Sequence, residues 1–244
     1  MPDALTPRNP VFVALDTTDL RQARAWAEGL SGVAGGIKIG LEFFSAHGAP
    51  GVRAVMSDGA PPLFLDLKFH DIPNTVAGAV RAVAPLAPHI INVHAAGGSI
   101  MMRAALDAAG DEAARLGLPK PRVIAVTVLT SLDDADLQAI GVLDPAEAQV
   151  RRLAELAVEA GLDGVVCSPR EVAVLRGDLG AEPLLVTPGV RPADAPTGDQ
   201  KRVMTPVQAL EAGASHLVIG RPITAAPDPA EAARRILADL SPHP

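Results

Sequence analysis

Short apolar runs recur along the chain, separated by Ala- and Leu-rich stretches of helical character. The runs at 11–15, 35–39, 63–67, 90–94, 122–128, 164–167, 184–187 and 216–219 read as buried strands, being short and rich in β-branched residues. Helical patterns lie between them, for example at 20–30, 75–86, 99–116, 144–160, 205–212 and 229–240. Asp144-Pro145 opens one of these and Gly161 closes it, the usual asymmetry of helix ends. Regular alternation of strand and helix requires parallel strands joined by right-handed crossovers. Eight rounds in this length close best into a (β/α)8 TIM barrel of the α/β class, since single barrels run to about 250 residues. A doubly wound open sheet is the alternative, but no Gly-x-Gly-x-x-Gly follows the first strand. No linker or low-complexity segment divides residues 1–244, so one domain is expected.

A barrel fixes where chemistry belongs: at the C-terminal ends of the strands, with phosphate often held after the seventh and eighth. Polar residues fall there. Strand one ends in Asp16, Lys38 lies near the end of strand two, and strand three delivers Asp66 and Lys68. Side chains alternate across a strand, so Asp66 and Lys68 are expected on the same side, with Asp71 following in the turn before Pro73. An isolated Asp-x-Lys is most simply a structural ion pair. A carboxylate and an ammonium at a strand mouth with a second carboxylate close behind is a costly group to bury, and suits a site where the charge itself acts.

Composition narrows the partners. A net charge of −7 and a pI near 5.3 argue against a nucleic-acid surface. The one cysteine, Cys167, gives neither an internal disulfide nor a zinc cluster. The first residues contain no apolar signal region and no run is long enough to span a membrane. The expectation is a soluble cytoplasmic protein. Only four residues are lysine against a majority of arginines, and two of them, Lys38 and Lys68, stand at strand ends, where a compact proton-donating ammonium would be wanted.

The last two strands carry an anion-binding pattern. Gly220-Arg221 follows strand eight: glycine lets the backbone approach an anion, and the guanidinium fork matches phosphate. After strand seven, residues 189–203 are rich in Pro, Gly and Asp and contain Arg191, Gln200, Lys201 and Arg202. A structureless loop of this length is commonly a lid, so a phosphomonoester site with a mobile cover is expected. His70, His94, Cys167 and Trp26 are assigned to packing or supporting roles, and Asp133-Asp134-x-Asp136 to a helix start.

With these residues in view, the chain resembles the orotidine monophosphate decarboxylase family, in its compact bacterial form. The likeness rests on Asp66-x-Lys68-x-x-Asp71-Ile72-Pro73-x-Thr75 together with Leu15-Asp16, Lys38-Ile39-Gly40, Leu129-Thr130-Ser131, Thr187-Pro188-Gly189-Val190-Arg191-Pro192, Gly198-Asp199-Gln200-Lys201-Arg202 and Gly220-Arg221-Pro222, in order along nearly the whole chain. The resemblance implies decarboxylation of orotidine monophosphate to uridine monophosphate in pyrimidine biosynthesis, without cofactor or metal. It implies a charged network of Lys38, Asp66 and Lys68, completed by Asp71 from the second subunit of a homodimer, with Thr75 reaching across the same interface. Asp16 and Lys38 would hold the ribose, Thr130 the pyrimidine region, and Arg191, Gln200, Gly220 and Arg221 the phosphate. Two alternatives stand beside it: a Mg-dependent sugar-phosphate decarboxylase of the same barrel superfamily, whose carboxylate at the position of Lys38 is lysine here, and a phosphate-ligand-binding barrel without catalysis.

Overall fold

The computed structural model describes residues 9–56, 59–191 and 204–240. β1 (Val11–Ala14) leads through α1 (Leu20–Gly29) to β2 (Gly36–Gly40), and α2 (Leu41–Val55) leads to β3 (Leu63–Phe69). Then come α3 (Pro73–Val83), β4 (Ile90–His94), α4 (Gly98–Leu116) and β5 (Arg122–Val126). α5 (Asp134–Ala139) and α6 (Ala146–Glu159) precede β6 (Gly164–Val166), and α7 (Val172–Leu179) precedes β7 (Leu184–Pro188). α8 (Pro206–Glu211), β8 (His216–Ile219), α9 (Arg221–Thr224) and α10 (Pro229–Leu240) complete the order. Each strand pairs in parallel with the next, and β8 pairs with β1, which closes an eight-stranded barrel. The expected TIM barrel is the observed fold.

Register decides what faces the axis. Phe12 lies opposite Gly36, Lys38 opposite Phe64, Phe64 opposite Ile90, Ile124 opposite Gly164, and Phe12 again opposite Val218 across the closure. Even-numbered positions therefore pair with even-numbered ones around the ring, and successive side chains alternate sides. The inner core is Phe12, Ala14, Phe64, Ile90, Ile124, Val186 and Val218, while Val11, Val13, Ile37, Ile39, Leu63, Leu65, Ile91 and Val93 pack outward against the helices. Low in the barrel the Phe12 ring meets Phe64 edge-on at 6.2 Å and His216 at 5.3 Å. Gly36 makes room for it: a Cβ there would come within 2.2 Å of the ring. These apolar layers fill the lower interior and leave the polar chemistry to the other end.

At the N-terminal end, the Arg176 guanidinium of α7 donates to the carbonyls of Gly180, Ala181 and Pro183 at 2.8–3.0 Å, to that of Gly213, and to Ser215 Oγ at 3.1 Å. It ties the loops entering β7 and β8 together. Two helices lie where no helical stretch was named from the sequence, α2 and α7. α2 is broken at Gly48, whose φ is 57°, and carries Pro50 just beyond, so its pattern is interrupted by residues that disfavour helix. Asp133 caps α5 through a reciprocal capping box with Asp136, as expected of that acidic stretch.

Candidate active site

A cavity of about 490 Å³ opens at the C-terminal ends of the strands. Asp16, Lys38, Asp66, Lys68, Thr130, Arg191, Gly220 and Arg221 all line it, over an apolar floor of Ala14, Phe64, Val126, Val166 and Val218. The chain thus brings together at one mouth residues more than two hundred positions apart. Gln200, with the rest of the expected lid beyond Arg191 as far as residue 203, lies outside the described residues. Asp71 and Thr75 are exposed and do not line this cavity. Asp71 instead accepts the Ile72 backbone N–H at 2.6 Å, and Pro73 opens α3 directly behind.

The centre of the site is a carboxylate between two ammonium groups. Asp66 Oδ1 lies 2.6 Å from Lys68 Nζ and Asp66 Oδ2 lies 3.2 Å from Lys38 Nζ. Lys38 in turn is 3.3 Å from Asp16 Oδ1. Burial is the largest influence on the Asp66 carboxyl and acts to raise its pKa, but Lys38, Lys68 and a hydrogen bond from Asn92 together outweigh it and hold the group below its ordinary value. For Lys38, burial pulls downward most strongly, yet Asp66 and Asp16 prevail and the pKa is raised. Both groups are therefore charged across the neutral range, and the cluster is a fixed array of alternating charge.

The route by which Lys68 reaches Asp66 differs from the simple alternation expected. Lys68 has φ of 50°, in the left-handed region that a side chain with a Cβ disfavours. The pairing of β3 with β4 passes from Leu65–Ile91 directly to Phe69–Val93. On β3, Asp66, Leu67 and Lys68 cover an interval that Asn92 covers alone, which is a bulge. Strict alternation would also put Asp66 and Lys68 on one side, but the observed approach is made by a bent strand. The Asn92 side chain fills the gap: its Oδ1 accepts the Lys68 backbone N–H at 2.8 Å, and its Nδ2 donates to Asp66 Oδ1 at 2.7 Å. Sequence reasoning passed over Asn92; the available signal was a polar residue on an inward position of an otherwise apolar run.

At the opposite wall, Gly189 follows β7 with φ of 78°, a conformation suited to glycine, and turns the chain so that Arg191 lines the cavity. Arg191 is buried, and its backbone N–H donates to the Met204 carbonyl at 3.0 Å. Arg221, the first residue of α9, is exposed on the rim. A Cβ on Gly220 would stand 3.6 Å from Asp16 Oδ2, so the backbone here runs close beneath the mouth. Cys167 also lines the cavity, but burial pushes its thiol up to about 12, so it is protonated and unreactive. His94 lies beside His70, ring centroids 5.4 Å apart, and burial first, then His70 and Lys68, lower its pKa. Among the described residues, no group of three or more His, Cys, Asp or Glu is placed to hold a metal ion.

A closed (β/α)8 barrel with a carboxylate set between two ammonium groups at the C-terminal ends of its strands defines a barrel enzyme. The chain belongs to the orotidine 5'-phosphate decarboxylase / HUMPS family, whose model matches residues 9–236. It is 61% identical over 240 residues to the orotidine 5'-phosphate decarboxylase of Rhodospirillum rubrum, covering 98% of this chain and 97% of the relative. It is 56% identical to that of Paramagnetospirillum magneticum, covering 95% and 98% respectively. Among solved structures, orotidine 5'-phosphate decarboxylase from Lactobacillus acidophilus superposes with a TM-score of 0.81 at 38% identity, covering 96% of this chain and 99% of that one. An uncharacterized conserved protein from Geobacillus kaustophilus superposes with a TM-score of 0.83 at 36% identity, covering 95% and 100%.

Proposed function

We propose that this chain decarboxylates orotidine 5'-monophosphate to uridine 5'-monophosphate and CO2, in pyrimidine biosynthesis, with Lys68 as the proton donor. The observation that carries the mechanism is the 2.6 Å contact of Lys68 Nζ with an Asp66 carboxylate that also faces Lys38. Breaking the C6–CO2 bond leaves its electron pair on C6 in the plane of the pyrimidine, where the ring π system delocalises it poorly. A fixed ammonium beside C6 stabilises that pair as it develops: unit charges 4 Å apart attract by roughly 4 kcal/mol at an effective dielectric near 20. Realised only in the transition state, this is worth about three decades of rate. Lys68 then gives its proton to C6, and the neutral amine regains one from water. Asp66 holds Lys68 in its aim, and Lys38 helps keep Asp66 ionised.

The remaining residues take binding roles. Asp16 and Lys38 hold the ribose hydroxyls, Thr130 contacts the pyrimidine, and Arg191, Gln200, Gly220 and Arg221 hold the phosphate, with residues 189–203 as the cover. The enzyme is a cytoplasmic homodimer in which Asp71 and Thr75 of one subunit complete the partner's site. Leu41, Ile72 and Ile100 support this: 53%, 67% and 75% exposed, they follow β2, β3 and β4, which are neighbours in the barrel, and Asp71 lies beside Ile72 in the chain. Exposed apolar side chains grouped in this way suit a subunit contact.

Loss of the orotidine monophosphate absorbance, followed with purified protein in EDTA beside Lys68→Ala, tests the reading. Turnover in chelator that disappears in the variant is expected. A folded parent chain without turnover overturns it. Activity abolished by chelator and restored by Mg²⁺ favours the metal-dependent alternative, against which the Lys38 ammonium, 3.2 Å from Asp66, would act by repelling the cation.

A further inference from the structure

We infer that Asn92 is a positioning residue for this reaction, its side-chain amide holding both the bend in β3 that aims Lys68 and the Asp66 carboxylate that Lys68 contacts. The inference rests on the reading of the site just given. Asn92 is 1% exposed, inside a strand whose other members are apolar until His94. A primary amide buried there is tolerated only when hydrogen-bonded, and its two side-chain bonds both go to β3 and both fall within the reacting cluster. Their chemistry fixes the amide's orientation. A backbone N–H can only donate, so the oxygen must face Lys68 N; an ionised carboxylate can only accept, so the NH2 must face Asp66.

The two bonds do separate things. The bond to the Lys68 backbone, 2.8 Å long, takes up an N–H that the bulge removes from the regular β3–β4 ladder. That compensates a left-handed lysine at φ of 50°, a conformation that persists only where surroundings impose it. The bond to Asp66, 2.7 Å long, falls on the same Oδ1 that Lys68 Nζ contacts at 2.6 Å, while Lys38 contacts Oδ2. Three donors from β2, β3 and β4 thus fix the carboxylate plane. Without the amide, Asp66 can turn and the ammonium loses its aim toward C6. Asn92 touches no reacting atom, so its effect must pass through Asp66 and Lys68.

Two substitutions separate positioning from folding. Asn92→Ala removes both bonds; kcat is expected to fall about 10²-fold, with KM and the affinity for uridine monophosphate within about threefold of the parent. Asn92→Asp keeps the acceptor for the Lys68 N–H but sets a carboxylate oxygen against Asp66. The other charges facing this pair are Lys38, Lys68 and Asp16, with His94 and His70 beyond Lys68. At neutral pH the paired carboxylates repel; on acidification they share a proton, and the protonated Asp donates to Asp66 as the amide did. The ratio of variant to parental kcat should therefore rise at least about tenfold between about pH 8 and pH 5. Where Asn92→Ala does not fold, Asn92→Asp decides alone, with uridine monophosphate binding as the check on its fold. A pH-independent loss, a KM that rises while kcat stays parental, or parental kinetics in the variants overturns the inference. A parent without turnover removes the reading of the site and the inference with it; a working parent with pH-independent variants removes the inference only.

Discussion

Arg221 opens α9 directly after Gly220, exposed on the rim of the cavity that Lys68 and Asp66 also line. On the proposed reading, its contribution to rate comes from binding energy at the remote phosphate, which orients substrate and excludes water. Arg221→Ala is expected to lower kcat/KM by at least ~10²-fold from the loss of one charge-assisted contact. Turnover of phosphate-free orotidine should be unchanged by the same substitution. A fall below about threefold with the full substrate removes Arg221 from the phosphate site. A second residue acts on stability alone. His216, 5% exposed beneath Phe12, has its pKa lowered from 6.5 to about 4, by burial first and then by His89. The unfolded chain takes up this proton near 6.5 and the folded chain only near 4. Stability from the neutral imidazole is thus complete above 6.5 and declines as the pH falls toward 4, by roughly 3 kcal/mol at most, each unit being about 1.4 kcal/mol. His216→Gln, uncharged throughout, should show a shallower loss of unfolding free energy between about pH 7.5 and 4.5 than the parent. Equal slopes in denaturant titrations would exclude His216 as the source.

Among the elements, the two ends of the barrel divide labour, and Arg176 tests the division. It clips the loops before β7 and β8 at the N-terminal end and does not line the cavity. Arg176→Met keeps most of the side-chain volume and removes the donors, so stability should fall by about 1–3 kcal/mol while kcat and KM hold. A variant of parental stability, or one that loses kcat at full folding, contradicts that division. The legibility of the elements follows the same physics. Strands buried on both faces announce themselves as short apolar runs, and their polar ends, Asp16, Lys38 and Asp66, mark the mouth because even positions stay in phase around the ring. What could not be read was set by tertiary contacts. Nothing in Asp66-Leu67-Lys68-Phe69 signals a left-handed residue, since the usual marker is glycine or asparagine at the position itself. Here the asparagine that supports it, Asn92, is twenty-four residues on, on the neighbouring strand. α2 escaped because Gly48 and Pro50 interrupt it, and α7 because Val172, Val174 and Gly177 are poor helix formers.

At the scale of the whole molecule, the cavity of one chain gathers Lys38, Asp66 and Lys68 but leaves Asp71 and Thr75 facing outward, beside exposed Ile72. Asp71 stands only three residues from Lys68, yet the turn into α3 carries it away from the site, and Pro73 at the helix start fixes that direction. A carboxylate so placed can act on a neighbouring chain's cavity more readily than on its own. If it does, the site is a property of the pair. Chains carrying Lys68→Ala and chains carrying Asp71→Ala should each be nearly inactive alone. In a mixed dimer, the cavity that keeps Lys68 receives Asp71 from the Lys68→Ala subunit and is whole, while the other cavity lacks both. Random co-assembly should then restore about a quarter of parental activity, because half of the dimers are mixed and half of their sites are intact. Co-expression with two affinity tags isolates the mixed dimer, in which specific activity should reach about half of the parental value. If the site is contained within one chain, every cavity in the mixture lacks one charge or the other and no activity returns. An Asp71→Ala chain active on its own would remove Asp71 from the site altogether. Two activity measurements, one on the defined mixed dimer and one on the Asp71→Ala chain alone, separate the three results.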